Sequence, residues 1–244
     1  MKYFLLLLLA FMIPAGNAGA EVVTEDIDDA YVQNILDSGN TSALQKLIDD
    51  GLDVNSLDAQ GNTLLFYLLT HYADFEMAKT LIHAGADVNL PSNNGLTPLL
   101  VATALAQEMQ KAQPHTGNSD DASQTQQTTA QTEQQQFLMK RSLELLKLLL
   151  DNGADVNQET PRGTALMSAA TSDLNLPLIE TLLQSGAKIN QQDRFGRTAL
   201  FYAAAFGCDN VSLLLIKNGA DIRITDINGK SYLDVSAEDI TKTY

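Results

Sequence analysis

The chain has 244 residues and a formal net charge of −15, because 30 acidic side chains outnumber 15 basic ones. This charge argues against a nucleic-acid partner, whose phosphates would be repelled, and is compatible with a basic protein partner. An acidic surface that only keeps the protein soluble is the alternative. The one cysteine, Cys208, excludes an internal disulfide, so we expect stability to come from packed helices.

The first 20 residues predict a secretory signal peptide. Lys2 gives a positive start, residues 5–13 form an apolar run, and Ala18-Gly19-Ala20 is a small-x-small cleavage site. The apolar run is too short to span a bilayer, although a retained N-terminal anchor is the alternative. We therefore expect cleavage near Ala20 and a soluble, exported protein, either periplasmic or secreted.

A five-residue motif, Gly-Ala-Asp-Val-Asn with small variations, recurs through the rest of the chain. Its glycines are 34, 68, 33 and 33 residues apart, and a period of 33 residues predicts a repeat protein. An apolar pair precedes each copy, and a Thr or Ser follows seven or eight residues after it. The five glycines are Gly51, Gly85, Gly153, Gly186 and Gly219, and the hydroxyl residues are Thr63, Thr97, Thr164, Thr198 and Ser231.

Each part of the motif predicts a local structure. The glycine adopts the left-handed conformation that ends a helix, and the Asp side chain bonds its own turn backbone. The Thr or Ser hydroxyl is expected to cap the next helix. The result is turn, helix, loop, helix, repeated along the chain.

This pattern resembles the ankyrin repeat, since Thr97-Pro98-Leu99-Leu100 is similar to its Thr-Pro-Leu-His signature. The resemblance implies an all-α ankyrin-repeat solenoid of helix-turn-helix units with β-hairpin loops. The signature His is absent from every copy, and we expect apolar packing to replace its hydrogen bonds. The residues in its place are Phe66, Leu100, Met167, Phe201 and Asp234.

Six copies are predicted within residues 24–244, and the third contains an insertion. Residues 98–112 and 133–150 are interpreted as over-long helices that flank residues 113–132. That segment is rich in Gln, Thr and Ser, which predicts a mobile loop, either a binding element or a tolerated insertion. Two degenerate repeats are the alternative. The predicted copies are 24–55 as N-cap, 56–89, 90–157, 158–190, 191–223 and 224–244 as C-cap.

The sequence indicates no catalytic residue, cofactor or metal ligand. His71, His83 and His115 do not match metal-ligand spacing. One Asp per period, at the same junction, is a structural placement rather than an acid–base pair. Cys208 is interpreted as a packed residue, and an intermolecular disulfide is a hypothesis that a non-reducing gel of Cys208→Ala would test.

The resemblance implies binding through a concave face, which hairpin tips and the exposed side of the first helices form. We therefore predict a monomeric, non-catalytic protein-binding module with no membrane span. An inhibitor or immunity protein against an exported toxin is the alternative, and an enzyme is expected only if the 113–132 insertion builds a site. The aromatic candidates have core packing as their alternative. The predicted contact residues are Tyr67, His71, Leu105, Arg162, Arg194, Phe195, Tyr202 and Phe206.

Overall fold

A computed structural model describes residues 29–58, 60–71, 74–111 and 140–235. The predicted signal peptide, the insertion at 113–132 and residues 236–244 lie outside the described residues. The chain divides into two compact units, Met1–Asn93 and Asn94–Tyr244.

The N-terminal unit is built from two helix pairs. The described helices are α1 (Asp29–Ser38), α2 (Thr41–Asp49), α3 (Leu64–His71) and α4 (Phe75–His83). Helix α2 packs against α4, and α4 also packs against α3. The inward faces of these helices bury large apolar side chains completely: Leu44, Leu65, Leu68, Leu69, Met77 and Leu81.

The C-terminal unit continues the alternation of first and second helices. Its described helices are α5 (Pro98–Lys111), α6 (residues 140–151), α7 (Ala165–Ala169), α8 (Leu176–Gln184), α9 (Ala199–Ala205) and α10 (Asp209–Lys217). Helix α7 packs between α5 and α9, so the first helices form one row, while the second helices α8 and α10 also contact each other. The last residue of the predicted long first helix, 112, and the first part of the predicted second helix, 133–139, lie outside the described residues.

A short 3-10 helix, Asp173–Asn175, precedes α8 and was not predicted from the sequence. Its Asp173 carboxylate accepts hydrogen bonds from the Asn210 side chain (3.1 Å) and the Val211 backbone N–H (3.0 Å). Asp173 therefore holds the start of α10 against the preceding copy. Pro177 lies in the first turn of α8, where its missing N–H removes no helical bond.

The motif glycines end the second helices as predicted. All five have φ between 89° and 105°, which side chains with a Cβ rarely adopt. In the copy at Gly153, its N–H bonds the Leu150 carbonyl (3.1 Å) and the Ala154 N–H bonds the Leu149 carbonyl (2.9 Å). This pair of bonds is the Schellman motif, and it satisfies carbonyls that the helix end would otherwise leave exposed.

The asparagine that ends the motif joins one copy to the next. Asn157 donates from Nδ2 to the Gly186 carbonyl (3.1 Å) and accepts at Oδ1 from the Lys188 N–H (2.7 Å). Both bonds go to backbone groups, so this link depends on the Asn and not on the identity of its partners. The same two bonds join Asn55 to Gly85 and Asp87, and Asn190 to Gly219 and Asp221.

Capping of the first helices follows the prediction in three copies and departs from it in one. Thr63, Thr97 and Thr164 accept from the backbone N–H three residues ahead, at 3.2 to 3.3 Å. Thr198 makes no such side-chain bond, so its predicted hydroxyl cap is wrong. Residues 232–235, directly after Ser231, are not helical, and the rest of the last copy lies outside the described residues.

The position of the absent signature His is filled in two ways. Phe66, Leu100 and Phe201 are buried, as expected for apolar replacement. Met167 accepts from the Thr164 N–H at its sulfur (3.4 Å), and Asp234 accepts from the Ser231 N–H (3.0 Å). Apolar packing is therefore only part of the replacement.

The fold is all-α, as predicted. In the described residues the hairpin loops are reduced to single bridges, such as Leu57 with Thr63 and Thr225 with Ser231. Among the helices within the described ranges, none combines the length and apolar character needed to cross a membrane.

Candidate protein-binding surface

Asp193 organises the hairpin that carries two of the predicted contact residues, Arg194 and Phe195. Its Oδ1 accepts from the backbone N–H groups of Phe195 and Arg197, both at 2.8 Å, and its Oδ2 accepts from the Tyr202 hydroxyl at 2.7 Å. The Asp193 carboxylate is buried. The Asp193 carboxylate therefore holds the backbone of the hairpin tip in place through these hydrogen bonds.

Two guanidinium groups lie over the Phe195 ring at this tip. The guanidinium of Arg194 is 4.7 Å from the ring centroid, and that of Arg197 is 5.0 Å away. Arg194 is exposed, Phe195 is half-buried and Arg197 is buried. Cation–π contacts of this kind hold flexible arginines in place and leave the Arg194 head accessible.

Two predicted contact residues lie in the core instead. Tyr202 is 4% exposed, because its ring fills the space beneath the hairpin while its hydroxyl binds Asp193. Leu105 is 6% exposed on α5. The expectation that these two side chains are accessible is wrong, and for Tyr202 the alternative of core packing applies.

The other predicted residues are accessible to different degrees. Phe206, at the end of α9, is 45% exposed, and Arg162 is half-buried at its hairpin. In the N-terminal unit, the Tyr67 ring stacks on the exposed His71 with centroids 4.1 Å apart and an interplanar angle of 15°. The fourth and eighth positions after Thr63 thus form one aromatic pair, as one turn of helix spacing requires. A contact role for these residues stays a prediction.

Sequence reasoning missed Ile227, which is 69% exposed at the tip of the next hairpin. Its N–H donates to the Phe195 carbonyl at 3.0 Å, so the two tips are adjacent. A Cβ on Gly196 would lie 3.1 Å from this same nitrogen, which explains why a glycine occupies position 196. Alignment of the copies could have signalled Ile227, because it stands where Arg194 stands one period earlier.

Asp226 repeats the role of Asp193 in the last hairpin. It accepts from the N–H groups of Asn228 (2.8 Å) and Lys230 (2.9 Å). Burial alone would raise the pKa of Asp226, but these bonds and the nearby Arg197 together hold it below its usual value. The carboxylate therefore stays ionised inside the hairpin.

Cys208 is a packed residue in this structure. It is 5% exposed at the start of α10, and burial, with the Asp173 charge second, raises the pKa of its thiol to about 11. A thiol in this state is a weak nucleophile, which disfavours the intermolecular disulfide. Across the described ranges, no group of three or more His, Cys, Asp or Glu side chains is placed to hold a metal ion.

Comparison with known families gives matches in both units. A model described as ankyrin repeats (many copies) matches residues 30–82, and one described as ankyrin repeats (3 copies) matches residues 136–226. The putative ankyrin repeat protein FPV233 of fowlpox virus is 40% identical over 57 residues, or 23% of this chain. The neurogenic locus Notch protein of Drosophila melanogaster is 33% identical over 98 residues, or 40% of this chain. The aligned segments cover only 11% and 3% of those relatives.

Solved ankyrin structures resemble the fold across most of the chain. The crystal structure of EF0377, an ankyrin repeat protein, has a TM-score of 0.64 and 24% identity and covers 89% of this chain and 95% of its own. An ankyrin repeat domain from Acinetobacter baumannii AYE (ABAYE2397) has a TM-score of 0.65 and 23% identity, with coverages of 85% and 90%. At these identities the likeness concerns the fold alone. Together with the family matches and the repeated turn geometry, it shows that this chain carries ankyrin repeats in both of its compact units.

Proposed function

We propose that the chain is a non-catalytic protein-binding module that acts in the periplasm or outside the cell. Ankyrin repeats favour a protein partner, because stacked copies offer an extended surface rather than an enclosed pocket. The features of residues 1–20 support export. The partner remains to be found.

One observation carries the proposal, namely the hairpin tip at Arg194 and Phe195. Arginine and aromatic side chains dominate the energetics of protein interfaces, and here both are held in place before any partner arrives. The backbone beneath them is tied to Asp193. A tip that is already ordered loses little conformational entropy when it binds.

Affinity capture from the chain's own compartment tests this function. We expect the tagged full chain to capture a protein that the double variant Arg194→Ala with Phe195→Ala loses. The double variant Lys147→Ala with Glu180→Ala changes exposed residues on second helices and is the matched control. Equal helical circular dichroism in all three proteins excludes unfolding. Capture that is unchanged in the Arg194 and Phe195 variant but lost in the control would contradict the assignment of the contact to this hairpin tip.

The inhibitor or immunity role remains the second candidate, since a net charge of −15 would attract a basic toxin. The basic side chains at the tips do not favour it. An enzyme is the third candidate. Its test is a turnover assay that compares the full chain with a variant from which residues 113–132 are deleted. Activity that disappears while the helical signal persists would replace the binding proposal.

A further inference from the structure

Three neighbouring hairpins of the C-terminal unit form a continuous row. We call residues 158–163, 191–197 and 224–230 the hairpin row. The Gln191 side chain donates to the Asn157 carbonyl (3.1 Å) just before the first hairpin, and the Ile227 N–H donates to the Phe195 carbonyl (3.0 Å). Each hairpin is thus bonded to the copy beside it.

Acidic and basic side chains of the hairpin row lie at different depths. Asp193 and Asp226 are 9% and 7% exposed, and each accepts two backbone N–H bonds within its own hairpin. Arg194 is exposed and Arg162 is half-buried. Among the described residues, neither of these two guanidinium groups forms an ion pair. Only one acid of the row, Glu159, is exposed.

The row also offers apolar surface next to these cations. The Phe195 ring is half-buried under Arg194, and Ile227 beside it is 69% exposed. Exposed apolar surface has an unfavourable hydration free energy. Its burial by a partner is favourable by about 25 cal/mol for each Å² of apolar surface covered. A partner that covers Ile227 while it pairs with Arg194 would recover this cost.

We infer that the hairpin row binds an acidic segment of a partner protein, with carboxylates at Arg194 and Arg162 and an apolar side chain against Phe195 and Ile227. The inference deepens the proposed function and rests on it. It reverses the expectation of a basic partner, which came from the net charge. Charges farther apart than about 8 Å are screened at physiological salt, so the local charge decides at contact.

The probe is a displayed library of random short peptides, selected on the full chain. We expect the selected peptides to be enriched in Asp and Glu next to a Leu, Ile or Phe. A synthetic selected peptide should bind with an affinity that falls as sodium chloride rises. Its counterpart with every Asp and Glu replaced by Asn and Gln should bind about tenfold more weakly for each ion pair lost, which corresponds to about 1.4 kcal/mol.

Charge-reversal and apolar variants locate the site. Arg194→Glu should abolish binding of the acidic peptide, while Lys147→Glu, an equal change on α6, should leave it unchanged. Ile227→Ser should weaken binding severalfold, whereas Leu213→Ser, an equal change at a 52% exposed residue of α10, should not. Selection of Lys-rich or Arg-rich peptides, equal effects of the two charge reversals, or preferential binding of a single-stranded oligonucleotide would overturn the inference.

The two proposals fail in distinguishable ways. A natural partner that needs Arg194 and Phe195, but binds them through a segment without carboxylates, would uphold the proposed function and refute the acidic ligand. A chain that binds the acidic peptide at the row, yet captures no protein from its own compartment, would leave the peptide site intact and refute the proposed function.

Discussion

The fifth copy and the beginning of the sixth carry the same residue at the same position with opposite outcomes. Leu200 and Leu233 are both the third residue of a Thr-x-Leu or Ser-x-Leu sequence, yet Leu200 is 1% exposed and Leu233 is 77% exposed. The equivalent leucines of earlier copies, Leu65, Leu99 and Leu166, are buried. A repeat position is therefore a core position only when its helix forms and neighbouring copies cover it.

The turn that ends the fifth copy also differs from the turns of earlier copies. Ile222 is 50% exposed, whereas its equivalents Val54, Val88 and Val156 are 4 to 7% exposed and Ile189 is half-buried. Arg223 stands where inner copies have the linking asparagine. Its guanidinium turns back to the Asp221 carboxylate of its own turn, at 3.0 Å. The sequence of this turn is thus adapted locally, because the described residues beyond it contain no further turn of this kind.

The largest expected difference is between Leu200→Ala and Leu233→Ala. Leu200→Ala should lower the free energy of unfolding by about 3 kcal/mol, because it leaves a cavity in a closely packed core. Leu233→Ala should cost less than about 0.5 kcal/mol, as for most surface changes. Urea denaturation followed by circular dichroism measures both. Equal losses would show that the last copy is packed like the others.

The next largest difference concerns the buried Tyr202 hydroxyl, which distinguishes the Asp193 hairpin from the Asp226 hairpin. Tyr202 donates to Asp193, while the equivalent oxygen of Asp226 accepts from the Asn228 side chain at 3.2 Å. Tyr202→Phe should lower the free energy of unfolding by about 2 kcal/mol, since it removes a buried bond to a charged group. Asn228→Ala, at an exposed side chain, should cost well under half of that. The comparison fails if Asn228→Ala costs as much as Tyr202→Phe in the same denaturation measurement.

The linking asparagines are expected to contribute somewhat less. Asn190→Ala removes two hydrogen bonds to the next turn and should cost about 1 kcal/mol, because both bonds are accessible to water. Arg223→Ala removes bonds only within one exposed turn and should change the stability little. Thermal unfolding of the two variants decides between them. A larger loss for Arg223→Ala would assign the last turn a structural role that its position does not suggest.

The smallest effect concerns the titration of Asp221. The Arg223 side-chain hydrogen bond, with the backbone bond and charge of Arg223, lowers the pKa of Asp221 to about 2. A lowered pKa stabilises the fold above the unfolded value of about 4, and this contribution is lost as the pH falls from about 4 to about 2. In Arg223→Ala, nuclear magnetic resonance titration should return the pKa towards 4. An unchanged pKa would mean that the backbone N–H alone sets it.

Much of the fold follows from short segments of sequence. The positive φ of Gly153 and the cap at Thr164 each depend on residues only a few positions away in the sequence. Both features could therefore be predicted without tertiary information. The absence of the predicted cap at Thr198 and the presence of the 3-10 helix Asp173–Asn175 could not be predicted in this way. Asp173 of that helix bonds to Asn210 and Val211, which are 37 and 38 residues away in the sequence.

The candidate surface was predicted less well than the fold. Arg194 and Phe195 are at an accessible tip, as predicted, but Tyr202 is buried and Ile227 was missed. The aromatic at position 202 was assigned by its place in the repeat. Its direction depends on Asp193, nine residues away, which attracts the hydroxyl inward.

The period, the turn glycines and the all-α class can be predicted from the amino-acid sequence, because helix ends, caps and apolar spacing are local properties. Which equivalent residues are core and which are surface depends on tertiary packing. Burial depends on what the neighbouring copy, about one period away, places against each side chain. That is why Leu200 and Leu233 differ, and why the acids of the hairpin row lie inside while Arg194 lies outside.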